Sequence, residues 1–200
     1  MPKELEAKFL NVDVADCRVR LAALGYTCVR PWSLMRRYTF LLNEMPGGLD
    51  NSKWSRVRDE GDRITMTYKH AFDTSRIDGT EEVEFEVSDF DAAVLFMDKL
   101  GFRARLYQEN QRETWTRGDM EVTLNEWPAL ATFVEVEGPE VESVEAASAE
   151  LGFDFSTAVF GGVGRIYKDC HGWDMDFVQD LTFEKANEIT VTMNSRKASA

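Results

Sequence analysis

Residues 81–88 read Glu-Glu-Val-Glu-Phe-Glu-Val-Ser, and this stretch decides the fold class. Apolar and acidic side chains alternate along it: Val83, Phe85 and Val87 against Glu82, Glu84 and Glu86. Successive side chains of a β-strand point to opposite faces of the sheet, so one face would be apolar and the other would carry carboxylates. The stretch therefore predicts a β-strand with one buried face.

The same alternation recurs on both sides of this stretch. It predicts seven more strands, at 3–11, 36–43, 53–59, 63–70, 103–115, 119–126 and 131–138. Tight turns at Glu60-Gly61-Asp62 and Arg117-Gly118-Asp119 join two neighbouring pairs, which is typical of antiparallel hairpins. Eight strands are enough to close a barrel, and closure removes the exposed sheet edges.

Three helical segments interrupt the strands, at 13–24, 89–100 and 140–151. Asp13 and Asp89 are suitable N-cap residues, and each segment is followed by a glycine, at positions 25, 101 and 152. Residues 156–170 favour one or two short helices. The sequence after Phe183 shows no clear periodicity.

These elements predict an α+β fold: a closed eight-stranded antiparallel β-barrel, or tunnel, with helices packed on the outside. Residues 1–183 would form a single domain, and 184–200 a C-terminal tail that could be flexible. If helices cover the apolar strand faces and the sheet closes, the charged faces point inward. The alternative is a half-buried sheet whose charged side is simply solvated and needs no function.

The charged faces mix both signs. Their residues are Glu4, Glu6, Lys8, Arg56, Arg58, Lys69, Glu82, Glu84, Glu86, Gln108, Asn110, Arg112, Glu121, Thr123, Asn125, Glu135 and Glu137. Enclosed carboxylates need counter-charges, and Mg²⁺ or Mn²⁺ prefer such hard oxygen ligands. Arginine and lysine grip phosphate chains. Inward-facing rows therefore predict a metal-assisted triphosphate site.

Composition limits the partners. The chain has 200 residues with a net charge of -13, 44% hydrophobic and 12% aromatic residues. An acidic surface repels nucleic acid and anionic membranes, so a polyanion would bind only in a local basic pocket. We expect no nucleic-acid or membrane partner. The polar start and the lack of a long apolar run favour a cytoplasmic protein.

The cysteines and histidines give no second site. Cys17, Cys28 and Cys170 are widely spaced, and His70 and His171 lie far apart in the sequence. Neither a disulfide framework, a zinc cage nor a Ser-His-Asp triad is indicated. We read all five as ordinary core or surface residues.

Several motifs, taken in order, resemble the CYTH family, also called triphosphate tunnel metalloenzymes. They are Glu4-x-Glu6-x-Lys8, Arg56-x-Arg58, Lys69, Glu82/Glu84/Glu86, Arg112 and Phe133-x-Glu135-x-Glu137. Trp54–Gly61, Asn125-Glu126-Trp127-Pro128 and Ala158–Gly162 followed by Tyr167 are similar to bacterial class IV adenylate cyclases. The resemblance covers about residues 3–183.

The resemblance implies an eight-stranded tunnel that takes inorganic triphosphate, nucleoside triphosphates or thiamine triphosphate with magnesium or manganese. Metal-side residues would be Glu4, Glu6, Glu135, Glu137 and, as an oxygen ligand, Asn125. Substrate-binding residues would be Lys8, Arg56, Arg58, Lys69 and Arg112. The catalytic set would be Glu4, Glu6, Lys8, Lys69, Glu82 and Glu84. The chain departs from the family at Asn125, commonly Asp, and at Asn110, often Lys.

The leading functional hypothesis is metal-dependent hydrolysis of a triphosphate. Cyclisation of ATP to cAMP and pyrophosphate needs the same phosphate clamp, so it stays as the alternative. Tyr38, Phe40 and Trp54 could receive the adenine, although core packing is the simpler role for them. Two further hypotheses are a non-catalytic polyphosphate- or nucleotide-binding module and a plain acidic scaffold. Helix 89–100 and residues 155–183 could build a homodimer surface, with core packing the simpler role.

Overall fold

The computed structural model describes residues 3–41, 52–102 and 104–197. Ten strands form one sheet: β1 Lys3–Glu4, β2 Glu6–Leu10, β3 Thr27–Leu41, β4 Lys53–Asp59, β5 Ile64–Ala71, β6 Thr80–Val87, β7 Ala104–Arg117, β8 Met120–Glu126, β9 Phe133–Glu137 and β10 Asp180–Leu181. Five α-helices accompany them: α1 Val14–Ala23, α2 Phe90–Lys99, α3 Val141–Glu150, α4 Val163–His171 and α5 Ala186–Lys197. The α+β class is as predicted. Residues 42 and 43 of one predicted strand and residue 103 of another lie outside the described residues.

The prediction of a closed eight-stranded barrel is wrong in two respects. Over the described ranges the sheet has ten strands, and its hydrogen-bonded path β1-β6-β5-β4-β3-β7-β8-β9-β2 does not close. The predicted strand 3–11 is divided at Leu5: β1 pairs with β6, whereas β2 pairs with β9. A single residue separates β1 from β2, so the two ends of the sheet remain neighbours. The short β10 adds a parallel pair with β7.

A connection outside the sheet covers part of the free edge of β2. The amide of Lys8 donates to the carbonyl of Val159 at 3.0 Å, and the amide of Val159 donates to the carbonyl of Lys8 at 2.9 Å. This bridge satisfies backbone groups that a neighbouring strand would otherwise pair. The sheet therefore surrounds an interior, although β1 and β2 at its two ends are not hydrogen-bonded to each other as a strand pair.

The three helices predicted with bounds, α1, α2 and α3, start and stop within one residue of those bounds. The Asp13 carboxylate caps α1 by accepting from the amides of Ala15 and Asp16, and Asp89 caps α2. Gly25 follows α1 with φ of 80°, a left-handed conformation that favours glycine. The predicted 156–170 region contains a short 3₁₀-helix, Phe155–Thr157, followed by α4.

The helices pack on the apolar faces of β2, β3, β4, β8 and β9, as predicted. The predicted buried face of residues 81–88 is wrong, because Val83 and Phe85 of β6 are 41% and 54% exposed. Cys17 and Leu21 of α1 and Val144, Ala147 and Leu151 of the α3 region pack on Ala7, Phe9, Val122, Leu124, Val134 and Val136. Phe90 and Met97 of α2 pack on Phe40 and Val57. At roughly 25 cal/mol per Å² of buried apolar surface, such contacts stabilise the arrangement strongly. They leave the charged strand faces turned toward the interior.

The expected C-terminal tail contains helix α5. Ile189 and Met193, one helical turn apart, are buried beside Trp173 and Tyr167. Asn194 accepts a hydrogen bond from the Trp173 indole at 3.0 Å. Residues 189–193 read Ile-Thr-Val-Thr-Met, whose β-branched side chains have low helix propensity, so packing determines the helix here. The longest described helix is this one, at 12 residues, and no helix in the described ranges could cross a bilayer.

Candidate functional site

The sheet encloses a cavity of about 580 Å³ with a highly charged wall. Its charged lining residues are Glu4, Glu6, Lys8, Arg37, Arg56, Arg58, Arg63, Lys69, Glu82, Glu84, Arg112, Asp119, Glu121, Glu135 and Glu137. Among the residues that the structure describes, these are eight carboxylates and seven basic groups, a near balance in a chain whose net charge is -13. The cavity is therefore much less acidic than the protein as a whole.

Eleven of the twelve residues predicted for the site line this cavity, and Asn125 does not. The convergence predicted from strand alternation is therefore present in the structure. The assignment of individual residues to metal, substrate or catalysis stays a prediction. Glu86, which shares a face with Glu82 and Glu84, lies outside the wall with 69% of its side chain exposed.

One part of the wall is a carboxylate cluster formed by Glu4, Glu6 and Glu137. One carboxylate oxygen from each lies within 4.8 Å of the others. The sheet register explains this, because Glu6 lies directly opposite Glu137 between β2 and β9. Like charges directly opposite each other destabilise a strand pair. The cluster thus offers hard oxygen donors and a surplus of negative charge, which fits a divalent cation such as Mg²⁺ or Mn²⁺.

The pKa of Glu137 reflects this surplus. Burial, with the nearby carboxylates of Glu4 and Glu121, raises the pKa of Glu137 to about 7. Its folded-state pKa thus exceeds the ordinary value of 4.5, so this group destabilises the protein as pH rises through 4.5 and toward 7. A bound cation would offset that repulsion.

We expect Glu137→Gln to stabilise the metal-free protein at pH 8. The amide removes one charge from the cluster, and the gain should be on the order of 2 kcal/mol at pH 8 and vanish near pH 4. The measurement is urea unfolding of both proteins at the two pH values in metal-depleted buffer. Glu86→Gln, a change outside the cavity wall, is the control. A Glu137→Gln protein less stable than the parent at pH 8 would contradict the repulsion.

Two lysines border the carboxylate cluster. The Lys69 ammonium lies 2.6 Å from Glu4 and 3.1 Å from Glu82. Lys8 contacts Glu6 and lies 3.6 Å from Glu135. Burial alone would raise the pKa of Glu4, but Lys69 and Lys8 lower it below the ordinary value. Each lysine is therefore placed between a cluster carboxylate and a carboxylate of the next strand.

Arg56 and Arg58 project from β4 into the cavity. Arg56 lies 3.1 Å from Glu84, and Arg58 lies 3.6 Å from the same carboxylate. Thr67 also donates to Glu84 at 2.7 Å. Burial would raise the pKa of Glu84, but the two arginines lower it to about 2. Glu84 thus holds both guanidinium groups in place.

The Glu60 carboxylate also holds Arg58 in place. Glu60 contacts Arg58, and it lies 3.0 Å from Arg30 and 2.9 Å from Arg63. Burial would raise the pKa of Glu60, but Arg58 and Arg63 lower it. Because three arginines share this buried carboxylate, loss of one would still leave it paired.

Asn125 lies behind the cavity wall. It is fully buried, and its Oδ1 accepts from Nε of Arg112 at 2.7 Å. Its Nδ2 donates to Glu135 at 3.2 Å, and Glu135 also pairs with Arg112. In this structure the Asn125 amide thus holds Arg112 and Glu135 in place. Its role as a metal ligand stays a prediction.

Several residues of the wall were not predicted from the sequence, namely Arg37, Arg63, Asp119 and Trp127. Gln108 and Glu121, which alternation places on the charged faces, line the wall as well. Trp54 also lines the cavity, contrary to the core role favoured for it, whereas Phe40 is fully buried beside α2. Alternation could have found Arg37, because it lies on the strand face opposite Tyr38 and Phe40.

Comparison with known proteins decides the family. The sequence profile of the CYTH domain matches residues 39–154, more than half of the chain. The chain belongs to the CYTH family. No protein of curated function matches it in sequence.

Solved structures share the CYTH fold of this chain. The PH1012 protein of Pyrococcus horikoshii is 23% identical with a TM-score of 0.63, over 78% of this chain and 93% of its own. A proposed adenylate cyclase from Vibrio parahaemolyticus is 11% identical with a TM-score of 0.70, over 83% and 98%. One from Bacillus halodurans is 15% identical with a TM-score of 0.55, over 82% and 97%. At these identities the similarity supports the fold.

Proposed function

We propose that this CYTH protein hydrolyses a triphosphate-containing substrate in its cavity with the help of a divalent metal ion. The observation that carries the proposal is the combination in one wall of seven basic side chains and the three-carboxylate cluster. Basic side chains alone could bind many kinds of anion, and carboxylates alone could bind many kinds of cation, so neither set identifies the ligand by itself. A phosphate chain bound with a metal ion uses both.

The basic residues would hold the phosphate oxygens. Arg56, Arg58 and Arg112 offer planar guanidinium groups that can donate two parallel hydrogen bonds, and Lys8 and Lys69 act as point charges. In this structure each of these five pairs with a carboxylate. The substrate would therefore bind basic side chains that the carboxylates already hold in position. This lowers the free-energy cost of organising them at the transition state.

Glu4, Glu6 and Glu137 would hold the metal ion. Magnesium or manganese bound there supplies positive charge that neutralises phosphate oxygens as the terminal P–O bond breaks. We assign Glu82 to orient the attacking water, because it lies 3.1 Å from Lys69 and 3.7 Å from Arg56. Burial and the neighbouring Glu4 outweigh Lys69 and raise the pKa of Glu82, which favours a proton-accepting role.

ATP cyclisation is the alternative, and one observation favours a nucleotide over bare triphosphate. Trp54 lies on the cavity wall beside Gly162, where an added Cβ would be 4.0 Å from the indole. An aromatic ring at that position can stack on a nucleobase. The proposed cyclase activity of two fold neighbours is consistent with this alternative. Stacking would serve ATP hydrolysis equally well.

A substrate panel tests the proposal. Tripolyphosphate, ATP and thiamine triphosphate are incubated with Mg²⁺ or Mn²⁺, and all phosphorus-containing products are followed by ³¹P NMR. We expect release of inorganic phosphate and the matching diphosphate, and none in metal-depleted buffer. Formation of cAMP and pyrophosphate from ATP would establish the cyclase instead. Ligand-induced thermal stabilisation without turnover would indicate a binding module.

A further inference from the structure

Arg37 differs from the other basic residues of the cavity wall because no carboxylate of the described residues pairs with it. The other six each have a carboxylate oxygen within 4.0 Å. Arg37 donates to the amide oxygen of Asn110 and lies over the Trp127 ring, 4.7 Å from its centroid. Within the described parts of the chain, these neutral groups are its partners.

This guanidinium is also buried. Arg37 is 4% exposed, and its Nε has no hydrogen-bond acceptor among the described residues. A guanidinium cannot shed its proton in a protein, so its charge must be balanced by other means. A buried charge without a counter-ion is strongly unfavourable, and such residues are normally paired.

The surroundings increase the imbalance. Burial first, and then the charges of Arg56, Arg58 and Arg112, lower the pKa of Arg37 well below its usual value. Glu135 opposes this effect, but its carboxylate already contacts Arg112 and Lys8. Arg37 lies directly opposite Arg58 between β3 and β4. The carboxylates near Arg37 are therefore already paired with other basic residues, whereas the carboxylate cluster has a surplus of negative charge.

We propose that Arg37, Arg58 and Arg112 form a subsite beside Trp127 that binds one phosphoryl group of the substrate. Arg58 and Arg112 already pair with carboxylates, so the phosphoryl group would neutralise Arg37 above all. The proposal deepens the proposed function and takes its substrate class from it. The phosphoryl oxygens would supply the missing counter-charge. Contacts with Trp127 and Asn110 keep the Arg37 guanidinium oriented in the absence of ligand.

A purely structural role makes the opposite prediction for stability. If Arg37 served to hold Asn110 and Trp127, its removal would destabilise the protein with and without ligand alike. If it serves an anion, removing the unpaired charge leaves the ligand-free protein as stable as before or more stable. Stabilisation by the ligand would then be lost.

The test compares Arg37→Gln with Arg36→Gln, measured by calorimetric binding of tripolyphosphate in metal-depleted buffer and by thermal unfolding. Arg36 is the adjacent residue on the other strand face, where it pairs with Asp59 at 3.0 Å. We expect Arg37→Gln to weaken binding about tenfold to hundredfold, as for loss of a charge-assisted hydrogen bond. The melting temperature of the free protein should not fall. Arg36→Gln should bind like the parent, and Arg37→Lys should recover part of the affinity.

Unchanged tripolyphosphate affinity in Arg37→Gln would overturn the subsite, as would an equal loss of melting temperature with and without tripolyphosphate. Both results leave hydrolysis by the parent protein intact, so the proposed function would survive them. Conversely, Arg37-dependent binding by a protein that turns over no triphosphate would support the subsite and refute the hydrolase.

Discussion

Replacing Arg58 with alanine is expected to reduce the rate of metal-dependent phosphate release about a hundredfold or more. Burial and the neighbouring Arg56 lower the pKa of Arg58 to about 10, so it remains charged near neutral pH. Removal of one preorganised charged donor commonly costs a factor of about 10² to 10³ in turnover. The measurement is initial phosphate release from tripolyphosphate at saturating Mg²⁺ for parent and variant.

The structure offers a control for the fold of this variant. Glu60, the buried partner of Arg58, keeps Arg30 and Arg63 within 3.0 Å, so alanine does not leave it unpaired. Arg105→Ala is the matched change, because Arg105 is also carried by a strand of the sheet but pairs with Asp176 away from the cavity. It should retain the parent rate. Full activity in a folded Arg58→Ala protein would show that Arg58 does not hold the substrate.

Much of this site could be predicted from the sequence because strand alternation fixes which side chains share a face. The pattern of residues 81–88 alone predicts that Glu82 and Glu84 share one face of a strand. The helical segments indicate that the apolar faces of the sheet are the covered ones. Convergence of different strands on one cavity also requires the sheet to curve. That curvature has no local signal, and its prediction depends on helices covering the apolar faces and on the family resemblance.

The open sheet could not be predicted, because the pattern of residues 3–11 continues without interruption across Leu5. The division arises from tertiary pairing. β1 pairs with β6, whereas β2 pairs with β9 and forms the backbone bridge to Val159. The Leu5 carbonyl accepts from Gly138 at 3.2 Å at the point of division. Such partners lie far away in the sequence and leave no local signal.

Arg37 shows why a single charged residue is hard to interpret. Arg36 and Arg37 are adjacent, and one is exposed while the other is buried. Alternation places the two arginines on opposite faces of the strand, but it does not show which of them has a functional role. The role becomes apparent only with the partners: Asp59 beside Arg36, and neutral Asn110 beside Arg37. Asn110, where the family resemblance leads one to expect lysine, thus contacts a cation carried by β3.

The second large effect is expected for Glu6→Gln, which should lose about 99% or more of the activity at millimolar Mg²⁺. Glu6 contributes one of three clustered carboxylates, and glutamine keeps an oxygen but removes the charge that attracts a hard cation. Even loss of an outer partner of a metal ligand commonly costs 10- to 100-fold, roughly, in affinity or activity. Activity is measured against Mg²⁺ and Mn²⁺ concentration.

The metal dependence separates this explanation from a general loss of structure. If Glu6 holds the ion, the Glu6→Gln curve should shift to higher metal concentration, and excess Mn²⁺ should recover part of the rate. Lys8, the neighbour of Glu6, still lies 3.6 Å from Glu135 in the absence of the Glu6 charge, so a buried cation is not left unpaired. Glu86→Gln removes an equal charge from the same sheet outside the cavity wall and should leave the curve in place. A Glu6→Gln protein with the metal dependence and rate of the parent would show that the carboxylate cluster is not the metal site, because one of its three charges would then be dispensable.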